Sequence, residues 1–182
     1  MIGSDSMLSS DISVESENEP KYFLKPVKCD EDCVDGKDTQ ILFGSAGETL
    51  VPDFLEFAFT MPVYHPDEDP MSYLMGSFIP ALRISLESNQ YKEQAKDNKG
   101  NLAIVFRDQM FILYANWILQ KVHRKYISIG SGKLTASGVL EDTENVKNGK
   151  SRIRRAIRAS AKILPSVDDK IYLHEVNRSD FL

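Results

Sequence analysis

Apolar residues are most concentrated between Gly100 and Tyr126, and their spacing predicts one long central helix. Residues on one predicted face recur at intervals of three or four: Leu102, Val105, Phe106, Met110, Leu113, Trp117 and Ile118. Further apolar residues fill much of the remaining circumference. A helix of this length spans roughly 40 Å, which is long for a chain of this size to cover alone. We therefore expect other subunits to cover part of it, at Leu102, Phe106, Met110, Leu113 and Trp117.

Turn residues and shorter apolar patterns predict the elements around this helix. Asp69 and Pro70 are typical of a helix start, and the pattern continues to about Asn89, with a kink expected at Pro80. Strands are expected near 21–28, 39–43 and 171–176, and a short helix near 52–59. Glycines at 130, 132 and 138 predict a hairpin or flap over 126–140, whose Gly130 and Gly132 would reach a neighbouring subunit. The predicted fold class is mainly α, a small helical bundle around one long central helix.

The most strongly amphipathic segment is a predicted helix from about Asn148 to Leu164, stopped by Pro165. Its apolar residues share one face, and no acidic residue lies between Lys147 and Lys162. This pattern favours phosphate contact with nucleic acid, contact with protein carboxylates, or a solvated face, and all three remain open. The candidate binding residues are Lys147, Lys150, Arg152, Arg154, Arg155, Arg158 and Lys162.

The formal net charge of −5 conceals an uneven distribution of charge along the chain. Residues 1–70 carry sixteen acidic side chains and four lysines, a net of −12, whereas residues 71–182 carry eleven acidic and eighteen basic side chains, a net of +7. The two parts attract each other, within one molecule or between subunits. We divide the chain into an extended acidic N-terminal arm (1–48), a helical core with its flap (49–165) and a C-terminal tail (166–182).

Candidate chemistry is sparse. Cys29 and Cys33 lack the two further ligands that a zinc site needs, so we expect free thiols, no metal and no cofactor. Gly130-Ser-Gly-Lys133 resembles the end of a phosphate-binding loop, but Ile127 and Leu134 replace its Gly and Ser/Thr. No Gly-x-Ser-x-Gly turn supports a serine hydrolase. Charged residues interrupt the longest apolar window, so no membrane span is expected. These observations predict a protein that is not an enzyme, although an enzyme with an unrecognised site remains an alternative.

An acidic arm, an apolar central helix, a glycine-tipped flap and a basic helix occur together in this chain. In this organisation, over roughly residues 50–165, it resembles the head-to-tail connector proteins (adaptor or neck ring) of tailed bacteriophages. The resemblance implies a structural virion protein that forms a homo-oligomeric ring between portal and tail components, with cations near the DNA. It would be located in the virion neck after assembly in the host cytoplasm. The alternative is a small, sequence-independent DNA- or RNA-binding protein that uses the basic helix.

Overall fold

The computed structural model describes residues 2–4, 7–9, 14–16, 21–30, 39–47, 49–97, 99–167 and 170–174. The chain forms two compact units. Unit 1 comprises Met1–Tyr22 and Lys125–Val176, and unit 2 comprises Phe23–Arg124 and Asn177–Leu182.

Nine strands and six helices are present in the described part of the chain. The strands are β1 (Ile2–Ser4), β2 (Met7–Ser9), β3 (Val14–Ser16), β4 (Tyr22–Val27), β5 (Thr39–Gly47), β6 (Gly100–Phe106), β7 (Gln109–Leu113), β8 (Leu119–Val122) and β9 (Tyr172–His174). The α-helices are α1 (Leu50–Asp53), α2 (Pro70–Tyr73), α3 (Ile79–Ser88), α4 (Lys92–Lys96), α5 (Lys133–Asp142) and α6 (Gly149–Ile163). Two π-helical segments, Phe54–Ala58 and Leu74–Phe78, continue α1 and α2.

The predicted central helix is wrong, because residues 100–122 form three antiparallel strands. They belong to a five-stranded sheet with the order β4-β5-β6-β7-β8. Alternate residues of these strands, including Ile104 and its cross-strand partner Phe111, are buried in the core against α1, α2 and α3. On the opposite face of the sheet Leu42 and Ala103 are also buried. Because both faces are apolar, the strand sequence resembles a helix that is apolar all round.

The turn between β6 and β7 explains the polar interruption in this apolar run. Arg107 and Asp108 both have positive φ angles, 45° and 63°, and they connect the two strands as a two-residue hairpin loop. Turns of this type match the twist of antiparallel strands. Asn and Gly are the residues that usually mark them, and neither occurs here.

Because a five-stranded sheet lies beside the helices of unit 2, the chain is an α/β protein rather than a helical bundle.

The helix expected after Asp69 is confirmed. The Asp69 carboxylate caps it by accepting hydrogen bonds from the backbone N–H groups of Met71 and Ser72. The expected irregularity at Pro80 takes the form of the π-helical segment Leu74–Phe78 just before it. A wider turn suits this position because proline has no N–H to donate and its ring clashes with the carbonyl four residues earlier.

Unit 1 contains a hairpin of two antiparallel helices, α5 and α6. The Arg152 guanidinium, near the start of α6, donates to the Leu140 carbonyl at 2.6 Å, near the end of α5. At the other end, Ser160 Oγ of α6 donates to the Gly132 carbonyl just before α5. The expected basic helix is confirmed as α6, with the Asn148 side chain as its N-cap. The predicted flap is wrong, since helix α5 occupies most of it.

The N-terminal part of the chain also differs from the predicted extended arm. Strands β4 and β5 lie in the five-stranded sheet, with β4 at its edge, while β1 pairs with β9 and β2 pairs with β3. The division at residues 48 and 165 stays a prediction.

Candidate functional site

The turn that precedes α5 brings together the most distinctive polar groups of unit 1. Gly130 has a φ of 91°, and its carbonyl accepts a hydrogen bond from the Lys133 N–H at 3.2 Å. Ser128 Oγ donates to the Lys133 carbonyl at 3.0 Å. These bonds direct residues 130–132 into the first turn of the helix. Gly130-Ser-Gly-Lys133 is thus a loop that begins a helix, as in a phosphate-binding loop, although the remaining sequence pattern is absent.

A second set of contacts holds this turn against α6. Ser160 is buried, and its hydroxyl lies within hydrogen-bonding distance of the Gly132 carbonyl (3.2 Å) and the Ala156 carbonyl (3.0 Å). A Cβ atom added at Gly132 would lie 2.9 Å from Cβ of Ser160 and 3.2 Å from Cγ2 of Val167. Only glycine therefore fits between the turn and α6 without displacing one of them.

Two hydroxyls and an apolar side chain surround the start of α5. Ser166 Oγ donates to Ser131 Oγ at 3.0 Å, and Ser131 is exposed. Gly132, the N-cap of α5, has no side chain that could cap the helix. N–H groups of the first turn therefore carry a partial positive charge that remains available to an acceptor. Leu134, in the same turn, is 81% exposed. Hydroxyls and backbone N–H groups are suited to donating hydrogen bonds to a peptide carbonyl, and an apolar side chain is suited to contacting a peptide side chain.

The predicted cationic residues lie on or next to α6. Arg154, Arg155, Arg158 and Lys162 are exposed on one face of the helix, and Lys147 and Lys150 are exposed near its start. Arg152 differs, because its guanidinium contacts both the Leu140 carbonyl and, at 3.4 Å, Thr143 Oγ1. It therefore joins α5 to α6. Binding of an acidic partner by the other cations stays a prediction.

The predicted interface residues of the central segment lie mostly inside unit 2. Leu102, Phe106, Leu113 and Trp117 are buried in its core, and Met110 is half-buried. Gly130 and Gly132 are half-buried in the turn before α5. The chain itself covers the apolar surface that motivated the interface, so the original reason for it is lost. A subunit contact at these residues stays a prediction.

The titratable groups of unit 2 are mainly structural. The Tyr73 hydroxyl is buried and donates to the Pro62 carbonyl at 2.8 Å, and burial raises the pKa of this hydroxyl, with a further contribution from the negative charge of Glu68. Hydrogen bonds from Ser72, and then from the Met71 N–H, lower the pKa of Asp69. His65 Nδ1 lies 3.0 Å from Asp30 Oδ2.

The described residues offer neither a metal site nor a membrane-spanning helix. No group of three or more His, Cys, Asp or Glu side chains there could hold a metal ion. Cys29 is disulfide-bonded, so the expectation of free thiols is wrong for this residue. Cys33 lies outside the described residues. Within the same part of the chain, no helix has the length and apolar character needed to span a membrane.

Comparison with solved structures identifies the architecture. BPH from Thiobacillus denitrificans in complex with epoxomicin matches with a TM-score of 0.68 at 15% identity, and the match covers 93% of this chain and 88% of that chain. A second structure of Thiobacillus denitrificans BPH matches with a TM-score of 0.66 and the same identity and coverage. Eukaryotic HslV from Trypanosoma brucei matches with a TM-score of 0.60 at 13% identity, with the same coverage of both chains. The chain therefore shares the fold of BPH and HslV.

This finding corrects the functional expectations drawn from the sequence. The resemblance to phage connectors is wrong, and with it the ring between portal and tail components and the location in a virion neck. The alternative nucleic-acid-binding function and the expectation of a non-enzymatic protein are wrong for the same reason. The expected homo-oligomer is consistent with the fold. No protein-family model and no curated protein sequence matches the chain.

The site residues that the sequence does not predict are Ser131, Ser160, Ser166 and Leu134. The available signal was Gly130-Ser-Gly-Lys133 followed by a run of helix-compatible residues. This stretch nevertheless predicts a flap, because three glycines within nine residues are typical of irregular structure.

Proposed function

We propose that the chain is a subunit of a proteasome-type peptidase that works as a homo-oligomer and hydrolyses peptide bonds. One observation carries the proposal: a fold match over 93% of the chain to BPH, a protein whose structure has been solved with epoxomicin bound. The cluster at the start of α5 supports it, because exposed hydroxyls and helix N–H groups lie beside an exposed leucine.

In this proposal the start of α5 binds the peptide and orients one of its carbonyl groups. N–H groups of the first helical turn attract the carbonyl oxygen, and the attraction increases as that oxygen gains negative charge during hydrolysis. The Ser166 hydroxyl donates to Ser131, which leaves the Ser131 proton free to point towards the substrate. Leu134 supplies apolar contact to a substrate side chain. These residues bind and orient the substrate, and Gly132 and Ser160 keep the turn in place.

Hydrolysis of fluorogenic peptides by the purified full chain tests the proposal. Wild-type protein should release the fluorophore, and epoxomicin should inhibit the release. Ser131→Ala should lower kcat/KM by roughly 100- to 1,000-fold, the loss typical of removing one hydrogen-bond donor near developing charge. Ser88→Ala is the matched control, since the Ser88 hydroxyl is exposed on α3 and, among the described residues, bonds its own helix at the Ile84 carbonyl. Absence of both hydrolysis and epoxomicin binding in the assembled wild-type protein would overturn the proposal.

A further inference from the structure

Helix α6 presents a row of cations with no partner among the described residues. We define the cationic ridge as Arg154, Arg155, Arg158 and Lys162, all of them exposed. Three of them are spaced four residues apart and therefore lie one above another along the helix. The ion pairs in the described part of the chain involve other residues, such as Lys125 with Glu144 at 2.7 Å and Lys96 with Glu93 at 3.8 Å. Four adjacent cations without counter-charges repel one another, so an acidic partner would be bound favourably.

Unit 2 carries a surface of the opposite sign. We define the acidic edge as Asp30, Asp67, Glu68 and Asp69. A parallel bridge between Cys29 and Tyr64 holds its two segments together, with the Asp30 N–H donating to the Tyr64 carbonyl at 3.1 Å. Asp67 and Asp69 are exposed, and Asp30 and Glu68 are half-buried.

Three positive or titratable side chains lie near the acidic edge: Arg107, Lys121 and His65. Arg107 donates to the Pro66 carbonyl and the Tyr64 hydroxyl, so its donors are directed at neutral acceptors. Lys121 is close enough to contribute to the lowered pKa of Asp69, and His65 contacts Asp30. The carboxylates of Asp67 and Glu68 form no ion pair with any other described residue.

We propose that the cationic ridge of one copy binds the acidic edge of a second copy. This contact deepens the proposed function, because it rests on the homo-oligomer and names the surfaces that form it. The excess of basic residues in α6 disfavours ridge-to-ridge pairing, since like charges would face each other. When the ridge of one subunit binds the edge of another, the pair still has one unbound ridge and one unbound edge. Such a heterologous contact repeats and closes into a ring when the rotation between subunits permits.

Charge reversal on each side, followed by reversal on both, tests the contact in the full chain. Arg154→Glu with Arg158→Glu should weaken self-association at least about 10-fold, and so should Asp67→Lys with Glu68→Lys, because each places like charges opposite one another. Asp69 is left unchanged because it caps α2. Variants that carry both pairs of changes should associate within about threefold of wild type, since the attraction is restored with its sign exchanged. Analytical ultracentrifugation gives the association constants.

Three controls separate a lost contact from a lost fold. Lys92→Glu with Lys96→Glu makes the same change in net charge on exposed α4 and should leave association unchanged. Arg154→Gln with Arg158→Gln, which keeps good helix formers, should weaken association less than the glutamate pair. Far-ultraviolet circular dichroism and thermal melting of each variant should match those of wild type.

Several results would overturn the contact: a wild-type chain that stays monomeric, a glutamate pair that associates like wild type, or failure of the double reversal to restore association. The peptidase proposal fails by a different result, in which the assembled particle neither hydrolyses peptides nor binds epoxomicin. The ridge contact would survive that outcome, because association is measured without substrate.

Discussion

At the scale of single residues, the burial of the Tyr73 hydroxyl makes the stability of the fold depend on pH. Its ring packs edge-on against Tyr64, with 5.1 Å between centroids, and tilted against Phe106 at 5.6 Å. Because burial raises the pKa of Tyr73 in the folded state, the unfolded chain releases this proton near pH 10 while the folded chain keeps it. The folded state then binds more protons above pH 10, so stability falls as the pH rises beyond that value.

Tyr73→Phe should remove this alkaline loss of stability. Near pH 8 the variant should be destabilised by about 1–2 kcal/mol, because the Pro62 carbonyl loses its donor. Between roughly pH 10 and 11 the free energy of unfolding of wild type should fall by about 1 kcal/mol more than that of the variant. Urea denaturation across this pH range measures both effects. Equal pH slopes for the two proteins would show that Tyr73 does not titrate in this way.

Two glycines should respond to alanine in opposite directions. Gly47 has a φ of 104°, and a Cβ there would lie 2.9 Å from Cα of its strand partner Gly100. Gly47→Ala should therefore destabilise the chain by at least about 2 kcal/mol. Gly138 lies inside α5 with no atom within 4 Å of an added Cβ, so Gly138→Ala should stabilise it by about 0.5–1 kcal/mol. Thermal melting of both variants tests this, and equal shifts would contradict it.

At the scale of elements, the sequence predicted α2, α6 and the strands β4 and β5 correctly, but it missed helix α5 and strands β6, β7 and β8. The Asp69 cap and the amphipathic pattern of α6 are local signals, which no distant contact overrides. Residues 100–122 depend instead on contacts within a sheet, and apolar residues on both faces of that sheet remove the polar alternation that marks a strand. The β-branched residues Ile104 and Val105 and the polar pair Arg107-Asp108 were the remaining signs of a hairpin.

The candidate site was predictable only in part. Gly130-Ser-Gly-Lys133 is a distinctive motif in the sequence, but the structure that it forms depends on two distant serines. Ser160 and Ser166 are 28 and 35 residues from their partners Gly132 and Ser131. Contacts of this separation leave no periodic trace in the sequence.

Arg107 should stabilise the chain through its side-chain contacts as well as through its backbone conformation in the β6–β7 turn. Its guanidinium donates to the Tyr64 hydroxyl at 2.6 Å and the Pro66 carbonyl at 2.9 Å, and it lies 5.5 Å from the Tyr64 ring centre. Arg107→Ala should cost about 1–2 kcal/mol, and Arg107→Lys should recover less than half, because a lysine cannot make both bonds in this geometry. Urea denaturation provides the values, with Lys92→Ala as an exposed control. Full recovery by lysine would reduce the role of Arg107 to its charge.

At the scale of the whole molecule, a fold shared at 15% identity shows how little of the architecture depends on particular residues. Apolar residues at Ile41, Ile104 and Phe111 need only be large and buried to form the sheet core. The polar residues that would recognise a substrate are few by comparison, and they lie at the start of one helix.

Epoxomicin should stabilise the full chain if the proposed peptidase function is correct. At a concentration about 100-fold above its Kd, a ligand that binds only the folded state adds about 2.7 kcal/mol to the free energy of unfolding. This corresponds to a Tm increase of roughly 5–10 °C for a chain of this size. Ser131→Ala should show a smaller increase than Ser88→Ala, since only Ser131 lies at the candidate site. Differential scanning fluorimetry measures both, and an unchanged Tm in wild type would count against binding.

The two-residue turn at Arg107-Asp108 also bears on how quickly the chain reaches its native state. Ile104 meets Phe111 after a short loop closure, whereas Phe43 meets Ile104 only after the intervening helices are in place, about 60 residues along the chain. We expect the β6–β7 hairpin to form before β5 joins it. In stopped-flow experiments Ile104→Val should then slow refolding, and Ile41→Val should mainly accelerate unfolding. The segment that looks most like a helix in the sequence would thus be the nucleus on which the sheet grows.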